Sequence, residues 1–445
     1  SAMSEGSSLT FGTPSATSPV VAVDPAATFQ RIDGFGGALT DSAAWLIHSS
    51  PRRSAIMRDL FAAKGAAYSM VRLPMGASDT ARGNYSYDDT CCDLRDFSVA
   101  HDEAYVIPIL RQARSLNPRL KVLATPWSAP GWMKFGGTFT GYCDTYLNYL
   151  RNDAYQMYAD YFARFVTAYS RTHGVPIHAV SMQNEPHHCS SAYATMNMEP
   201  GDQANFAVEL RSALNAAGHG AVKIIAWDHN WYEGGQPTGY PQAVLGHDNG
   251  RAYGAVDGAA YHCYDSPSDG YWVQTAFRSA HPAKEVHFTE CTGGGWATDA
   301  AANLVWALQS NLIGPLRNWA RSSLYWSVAL DPRSGPNVGG CTNCRGMITV
   351  DNASGTYTRN GEYYVWAHLA KVVQPGAVRI GSPDLGPGSI QTVAFRNPDR
   401  SLALVALNSS GASTTRFRVA WAGQAFDYTL PARSVASFKW TPSSG

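Results

Sequence analysis

Residues 179–186, AVSMQNEP, begin as an apolar, β-rich run and end on Asn184, Glu185 and a proline. A carboxylate at the mouth of a buried strand is costly unless neighbouring groups hold it. Residues 285–291, EVHFTEC, repeat the arrangement around Glu290. The same kind of run recurs as DGFGGAL (33–39), YSMVRLPM (68–75), KVLATPW (121–127), VKIIAWDHN (222–230), VDGAAYHCY (256–264) and SLYWSVAL (323–330). Helical stretches separate the runs, among them residues 104–117, 153–174 and 202–218, with apolar positions near a 3.6-residue period. Eight buried strands alternating with helices predict an α/β fold, a (β/α)8 TIM barrel over residues 30–372.

Beyond residue 372 the character changes. Residues 378–440 alternate, with Gly, Pro, Asn and Asp at the turns, which is the signature of a β-sandwich. The strand-like segment before Asp33 is expected to pair with it. The side domain is therefore discontinuous, residues 9–29 plus 373–441. Residues 1–8 read as a disordered tail carrying a tag remnant, with any signal peptide already removed.

The composition narrows the function classes. Of 445 residues, 45% are apolar and 15% charged, so the chain is rich in core. Its 34 basic and 34 acidic residues cancel, which argues against nucleic acid and anionic membranes as partners. No apolar run reaches the ~20 residues of a membrane span. The 13 Trp and 23 Tyr suit stacking on sugar faces as well as core packing. Eight cysteines, including the adjacent Cys91 and Cys92 and the close Cys341 and Cys344, favour an oxidising compartment and a secreted protein. A lone C-x-x-C is also half of a zinc site, but no second pair stands at matching spacing. Histidines and cysteines at 187–189 and 262–263 lack a ligand pattern, so neither metal nor cofactor is expected. Motifs for serine hydrolysis, a P-loop or a dinucleotide fold are absent.

In such a barrel the active site lies at the C-terminal ends of the strands. Those ends carry Asp41, Trp127, Asn184, Glu185, His262, Tyr264, Glu290 and Trp326. Facing carboxylates on the fourth and seventh strands are what glycosidic hydrolysis requires. Glu290 is expected to be the ionised nucleophile. Glu185, beside Pro186 and aromatics, is expected to have a raised pKa and to act as acid/base. Asn184 can bond a sugar hydroxyl. Trp127 and Trp326 read as sugar platforms or as core, Asp41 as a sugar ligand or a helix cap, and His262 as structural or as a contact to the nucleophile.

The segments GFGGALTDSAA, RLPMGASD, ATPWSAPGWMK, SMQNEP, AWDHN, AYHCY, HFTEC and LYWSVALDPRSGPNVGGC, in that order, resemble glycoside hydrolase family 30. That family includes lysosomal glucosylceramidase and microbial endo-β-1,6-glucanases. The resemblance covers about residues 30–380 and leans to the glucanase branch. It implies Glu185 as acid/base and Glu290 as nucleophile. It also implies that Asp41, Trp127, Asn184 and Trp326 hold the terminal glucosyl unit, that Tyr264 touches the nucleophile, and that Cys341 and Cys344 form a disulfide. Two segments, DDTCCDLRDF and GGTFTGYCDTYLNYL, depart from the pattern after strand ends, where they would reshape outer subsites. The expectation is a monomeric, secreted, retaining endo-β-1,6-glucanase acting on β-glucan. The alternatives are an exo-acting β-glucosidase or glucosylceramidase with some β-xylosidase activity and, more remotely, a non-catalytic glucan-binding protein.

Overall fold

A computed structural model describes residues 3–13, 19–143 and 145–442. In it the eight runs form one closed parallel barrel. Its strands are β1 (Gly34–Ala38), β2 (Met70–Pro74), β3 (Lys121–Thr125), β4 (Ala179–Ser181), β5 (Lys223–Asn230), β6 (Gly258–His262), β7 (Glu285–Glu290) and β8 (Ala320–Tyr325). Ser322 of β8 pairs with Gly34 of β1, which closes the ring. A Cβ on Gly36 would stand 2.0 Å from the Met70 carbonyl oxygen, so only glycine lets β1 approach β2 this closely. The helices cover the outside. Tyr155–Thr167, for example, buries Tyr158, Tyr161, Phe162 and Phe165 on one face.

The barrel interior has three layers. Its middle is apolar, formed by Met70, Leu123, Ala179, Ile225, Ala260 and Leu324. Below it, at the strand N-termini, lies a ring of charges. Asp33 pairs with Lys121 and with Arg321, the latter at 3.0 Å. Glu285 accepts from Lys223 at 2.6 Å and pairs with Arg321, with His287 close by. Above the apolar belt, at the strand C-termini, lies a second polar layer that forms the candidate site.

The side domain is a two-sheet sandwich. One sheet orders Asp24–Arg31, Val378–Gly381, Ile390–Arg396, Leu402–Asn408 and Ser434–Trp440; the other orders Val20–Ala22, Thr415–Trp421 and Gln424–Leu430. The N-terminal segment thus gives one strand to each sheet. Alternation along residues 378–440 predicts strands with one polar face, and Leu402–Asn408 corrects this, being buried at all seven positions. Leu402, Leu404 and Ala406 enter the sandwich core, while Ala403, Val405 and Leu407 join the barrel core. The five-stranded sheet is the middle layer of three and has no solvent face at this strand. Of the expected tail, residues 1–2 lie outside the described residues. Residues 3–8 have no regular structure, although Met3 packs against the barrel core.

The charged ring makes the fold acid-sensitive. Burial pushes Glu285 upward, but bonding and charge from His287, Arg321 and Lys223 reverse this and bring it down to about 2. A depressed carboxyl pKa gives stability that is present above the unfolded value and lost as pH falls through the folded one. Glu285→Gln should therefore unfold more easily at pH 7, by on the order of 3 kcal/mol. That gap to the parent protein should close between pH 4.5 and 2. A gap in denaturation midpoint that is unchanged across this range would refute the assignment.

Candidate active site

Irregularities in three strands aim the polar layer inward. Strict alternation along β5 would point Trp227 and His229 into the barrel. Instead the pairing with β6 skips Asp228, and Trp227 and Asp228 take φ of 69° and 62°. Ala226 and Trp227 both pack outward, which turns Asp228 inward. The β6–β7 pairing likewise skips Thr289, so that His262 stands opposite Glu290. After β4 the chain turns at Glu185, whose φ is 44°; its amide donates to the Asp228 carbonyl at 3.0 Å. Non-glycine residues at positive φ are held only where the surroundings fix them, as at functional sites.

The centre of the layer is Arg72 on β2, fully buried. Its guanidinium donates to Glu290 Oε2, to Asn184 Oδ1 at 2.7 Å and to Asp228 Oδ2 at 2.8 Å. Asp228 Oδ1 accepts from Thr289 Oγ1 at 2.6 Å and faces His262 Nε2 at 3.1 Å. The other imidazole nitrogen, Nδ1, lies 2.9 Å from Glu185 Oε1. One ligand atom each from Glu185, His262 and Glu290 falls within 4.8 Å of the other two.

The structure brings most of the expected residues into this network. Trp127 and Trp326 lie 5.1 Å apart between ring centroids, and Arg72 sits 4.7 Å over Trp127. Gln183 fixes the Trp127 and Asn184 carbonyls at 2.7 and 2.8 Å. Tyr264 presents its phenol to Glu290; burial first, and then the two glutamates, keep it protonated as a donor. His262 bonds Glu185 rather than Glu290. Asp41 does not cap its helix, because Thr40 does, accepting from the Ala43 amide. The Asp41 carboxylate is taken up instead by the Arg82 amide, His101 and Tyr105. Asp79, beyond β2, is the acid that shares the field of both glutamates: burial and then Glu290 push it up to about 7. The loop after β8 covers it, with the Val338 amide on its carbonyl at 2.8 Å. Reading strand ends missed Arg72, which lies inside a run that scans as core. It places Asp228 at the end of the fifth run without giving it a role, and it leaves out Asp79, which stands in RLPMGASD.

The electrostatics correct the expected pKa order. Burial does push Glu185 upward, but His229 and His262 outweigh it and hold Glu185 down to about 2. His262 itself is penalised by burial, yet the surrounding Glu290, Asp228 and Glu185 raise it to about 9. Glu290 is pushed upward, chiefly by burial and also by Glu185, against the pull of His262 and Arg72. Pro186 and nearby aromatics suggested the reverse for Glu185, because the two imidazoles arrive from β5 and β6 and are not adjacent in sequence. The surrounding carboxylates thus favour a proton on His262, whose Nδ1 faces Glu185.

All eight cysteines are paired, and all lie on this face. Cys91 joins Cys92, Cys143 joins Cys189, Cys263 joins Cys291, and Cys341 joins Cys344. The thiols that read as half of a zinc site are thus spent in a disulfide. Gly293–Gly294 pairs antiparallel with Cys344–Arg345, tying the loop after β7 to the loop after β8.

Comparison with known proteins agrees with the geometry. The profile of the glycosyl hydrolase family 30 TIM-barrel domain matches residues 32–373, and that of the family's β-sandwich domain matches residues 376–438. The chain belongs to glycoside hydrolase family 30 and is a glycoside hydrolase. It is 36% identical over 407 residues to the endo-1,6-β-D-glucanase of Neurospora crassa, covering 86% of this chain and 80% of that one. It is 32% identical over 432 residues to endo-1,6-β-D-glucanase BGN16.3 of Trichoderma harzianum, covering 92% and 84%. Among solved structures, the endo-β1,6-glucanase BT3312 matches with a TM-score of 0.87 at 32% identity, covering 98% of this chain and 96% of that one.

The Asp228 carboxylate balances the charges of Arg72 and His262. Asp228→Asn should lower the unfolding free energy by about 3 kcal/mol, because a buried guanidinium loses its counter-charge. Removing that negative charge also disfavours the imidazolium, so the His262 titration followed by NMR should move well below 9. An unshifted His262 would refute the coupling.

Proposed function

We propose that this chain is a retaining endo-β-1,6-glucanase with Glu290 as nucleophile and Glu185 as acid/base. The observation that carries the mechanism is the approach of the two carboxylates, with oxygens within 4.8 Å. Retaining glycosidases place their carboxyl groups about 5–5.5 Å apart, whereas inverting ones leave room for an intervening water. The linkage rests on the relatives, which are named endo-1,6-β-D-glucanases and align over most of both chains.

In the first step a Glu290 oxygen attacks the anomeric carbon, the bond to the leaving oxygen breaks, and Glu185 gives that oxygen a proton. Glu185 receives the proton from His262 Nδ1, which leaves a neutral imidazole still bonded to Asp228 through Nε2. Substrate entry strips water from Glu185 and so favours its protonated form, in the direction burial already pushes it. In the second step water attacks the anomeric carbon, Glu185 takes its proton and returns it to His262 Nδ1, and Glu290 departs. Arg72 steadies Glu290 throughout. Trp127, Trp326, Asn184 and Asp79 line the pocket for the glucosyl unit, and Asp79, with its raised pKa, serves as donor or acceptor to a sugar hydroxyl.

Secretion fits the same reading. Four disulfides belong to an oxidising compartment, and no helix among the described residues is long and apolar enough to cross a membrane.

Early products from a linear β-1,6-glucan should be mixed short oligosaccharides whose new reducing ends are β by NMR. Glucose alone would replace endo action with exo action, and α-anomers would overturn the retaining mechanism. Glu290→Gln should keep the fold and lose kcat by on the order of a thousandfold or more. Because His262 is raised, its proton is held through neutrality and lost as pH passes about 9. The alkaline limb of kcat/KM should lie there; a limb near 6 would remove His262 from the proton path.

A further inference from the structure

The segment after β3 carries three aromatic side chains that the reaction does not use. Phe135 is 46% exposed, Tyr142 45% and Tyr146 69%. They are contiguous: the Phe135 and Tyr146 rings meet edge to face at 5.8 Å. The Tyr142 ring lies over Gly136, where an added Cβ would come within 2.7 Å of it. Neither tyrosine hydroxyl bonds to another described residue, so both remain free to bond a ligand. Exposed aromatic groups in one patch mark a binding surface more often than chance exposure does.

The scaffold beneath the patch is firm. Lys134 is buried next to Phe135, and its ammonium donates to the carbonyls of Thr195 at 2.7 Å, Thr140 at 3.2 Å and Phe139 at 3.4 Å. Through Thr195 the buried Lys134 side chain ties this segment to the loop after β4. So do the Cys143–Cys189 disulfide and the backbone bridges from Thr140 to Ala194 and from Tyr149 to Asn197. The patch is also continuous with the pocket, since Phe139 and Tyr193 pack against the Trp127–Trp326 pair. Cys189 lies four residues beyond Glu185, so the patch stands on the side of the group that protonates the leaving oxygen.

The geometry points to a leaving-side platform for the glucan chain, on which Phe135, Tyr142 and Tyr146 stack glucosyl units beyond the bond being cut. This rests on the glucanase reading above and extends it. Pyranose rings offer apolar faces ringed by hydroxyls, which match flat aromatic rings carrying free phenols on a preorganised support.

The test compares the parent protein with Phe135→Ala/Tyr142→Ala/Tyr146→Ala, and with Tyr253→Ala as a control. Tyr253 is an exposed ring near the strand N-termini, over Lys284. Affinity electrophoresis through gels containing soluble β-1,6-glucan should show about tenfold weaker retention for the triple variant only. Hydrolysis of an aryl β-glucoside should stay within twofold of the parent for both variants. Unchanged retention would overturn the platform, as would an equal loss on both assays with the thermal midpoint preserved. Retention that depends on the three rings, in a protein that leaves the polymer uncut, would support the platform and count against the glucanase reading instead.

Discussion

A guanidinium buried in the mouth of the barrel organises everything above the apolar belt. Arg72 reaches β4 through Asn184, β5 through Asp228 and β7 through Glu290, so one planar fork sets the spacing of three strand ends. Lysine would supply the charge but not the fixed fan of donors. The charge count also follows from it. Arg72 and the protonated His262 face Asp228, Glu185 and Glu290, which leaves one carboxylate in excess. A pocket with that balance favours the positive charge that develops on a sugar ring as its glycosidic bond breaks.

Such a constellation works only on a frame that does not give. The belt of Met70, Leu123, Ala179, Ile225, Ala260 and Leu324 separates the site from the charged ring at the opposite end. The two polar layers therefore do not short-circuit through the interior. Outside, the sandwich adds rigidity because its five-stranded sheet is packed on both faces and shares its apolar side chains with the barrel core. An interface of this kind is part of the fold and does not act as a hinge.

How much of this was legible in the sequence depended on range. The eight strands, the rim position of Glu185 and Glu290, and the side domain each leave a local pattern of period, turn residues or strand-end polarity. Arg72 leaves none: in YSMVRLPM it is one charge inside an apolar run, and only its three partners, all more than 100 residues away, explain it. Asp228 is visible as a strand-end residue but its role is not, because strict alternation would give the inward position to His229 until a bulge reverses it. The order of the carboxyl pKa values failed for a related reason. Proline and aromatics beside Glu185 are visible in sequence, whereas the imidazoles that dominate it come from other strands. The doubly buried Leu402–Asn408 likewise depends on a third layer that no local pattern reports.

Those bulges have a structural cost that the cysteines offset. Where β5, β6 and β7 break register, ladder bonds are lost at the very ends that must hold Asp228, His262 and Glu290 in place. Cys263 follows His262 directly and Cys291 follows Glu290 directly, and the two are bonded. A covalent tie thus begins where regular pairing stops. The Cys291 carbonyl accepts from the Trp326 amide at 2.9 Å, which carries the tie on to the tryptophan after β8. At the opposite end the β7–β8 pairing also shifts register, after Val286 and Ala320, and there ion pairs from Asp33 and Glu285 tie the strands. Disulfides gather on the face where sequence-local rules are broken, because there the backbone must be held against its own preferences for the carboxylates to meet.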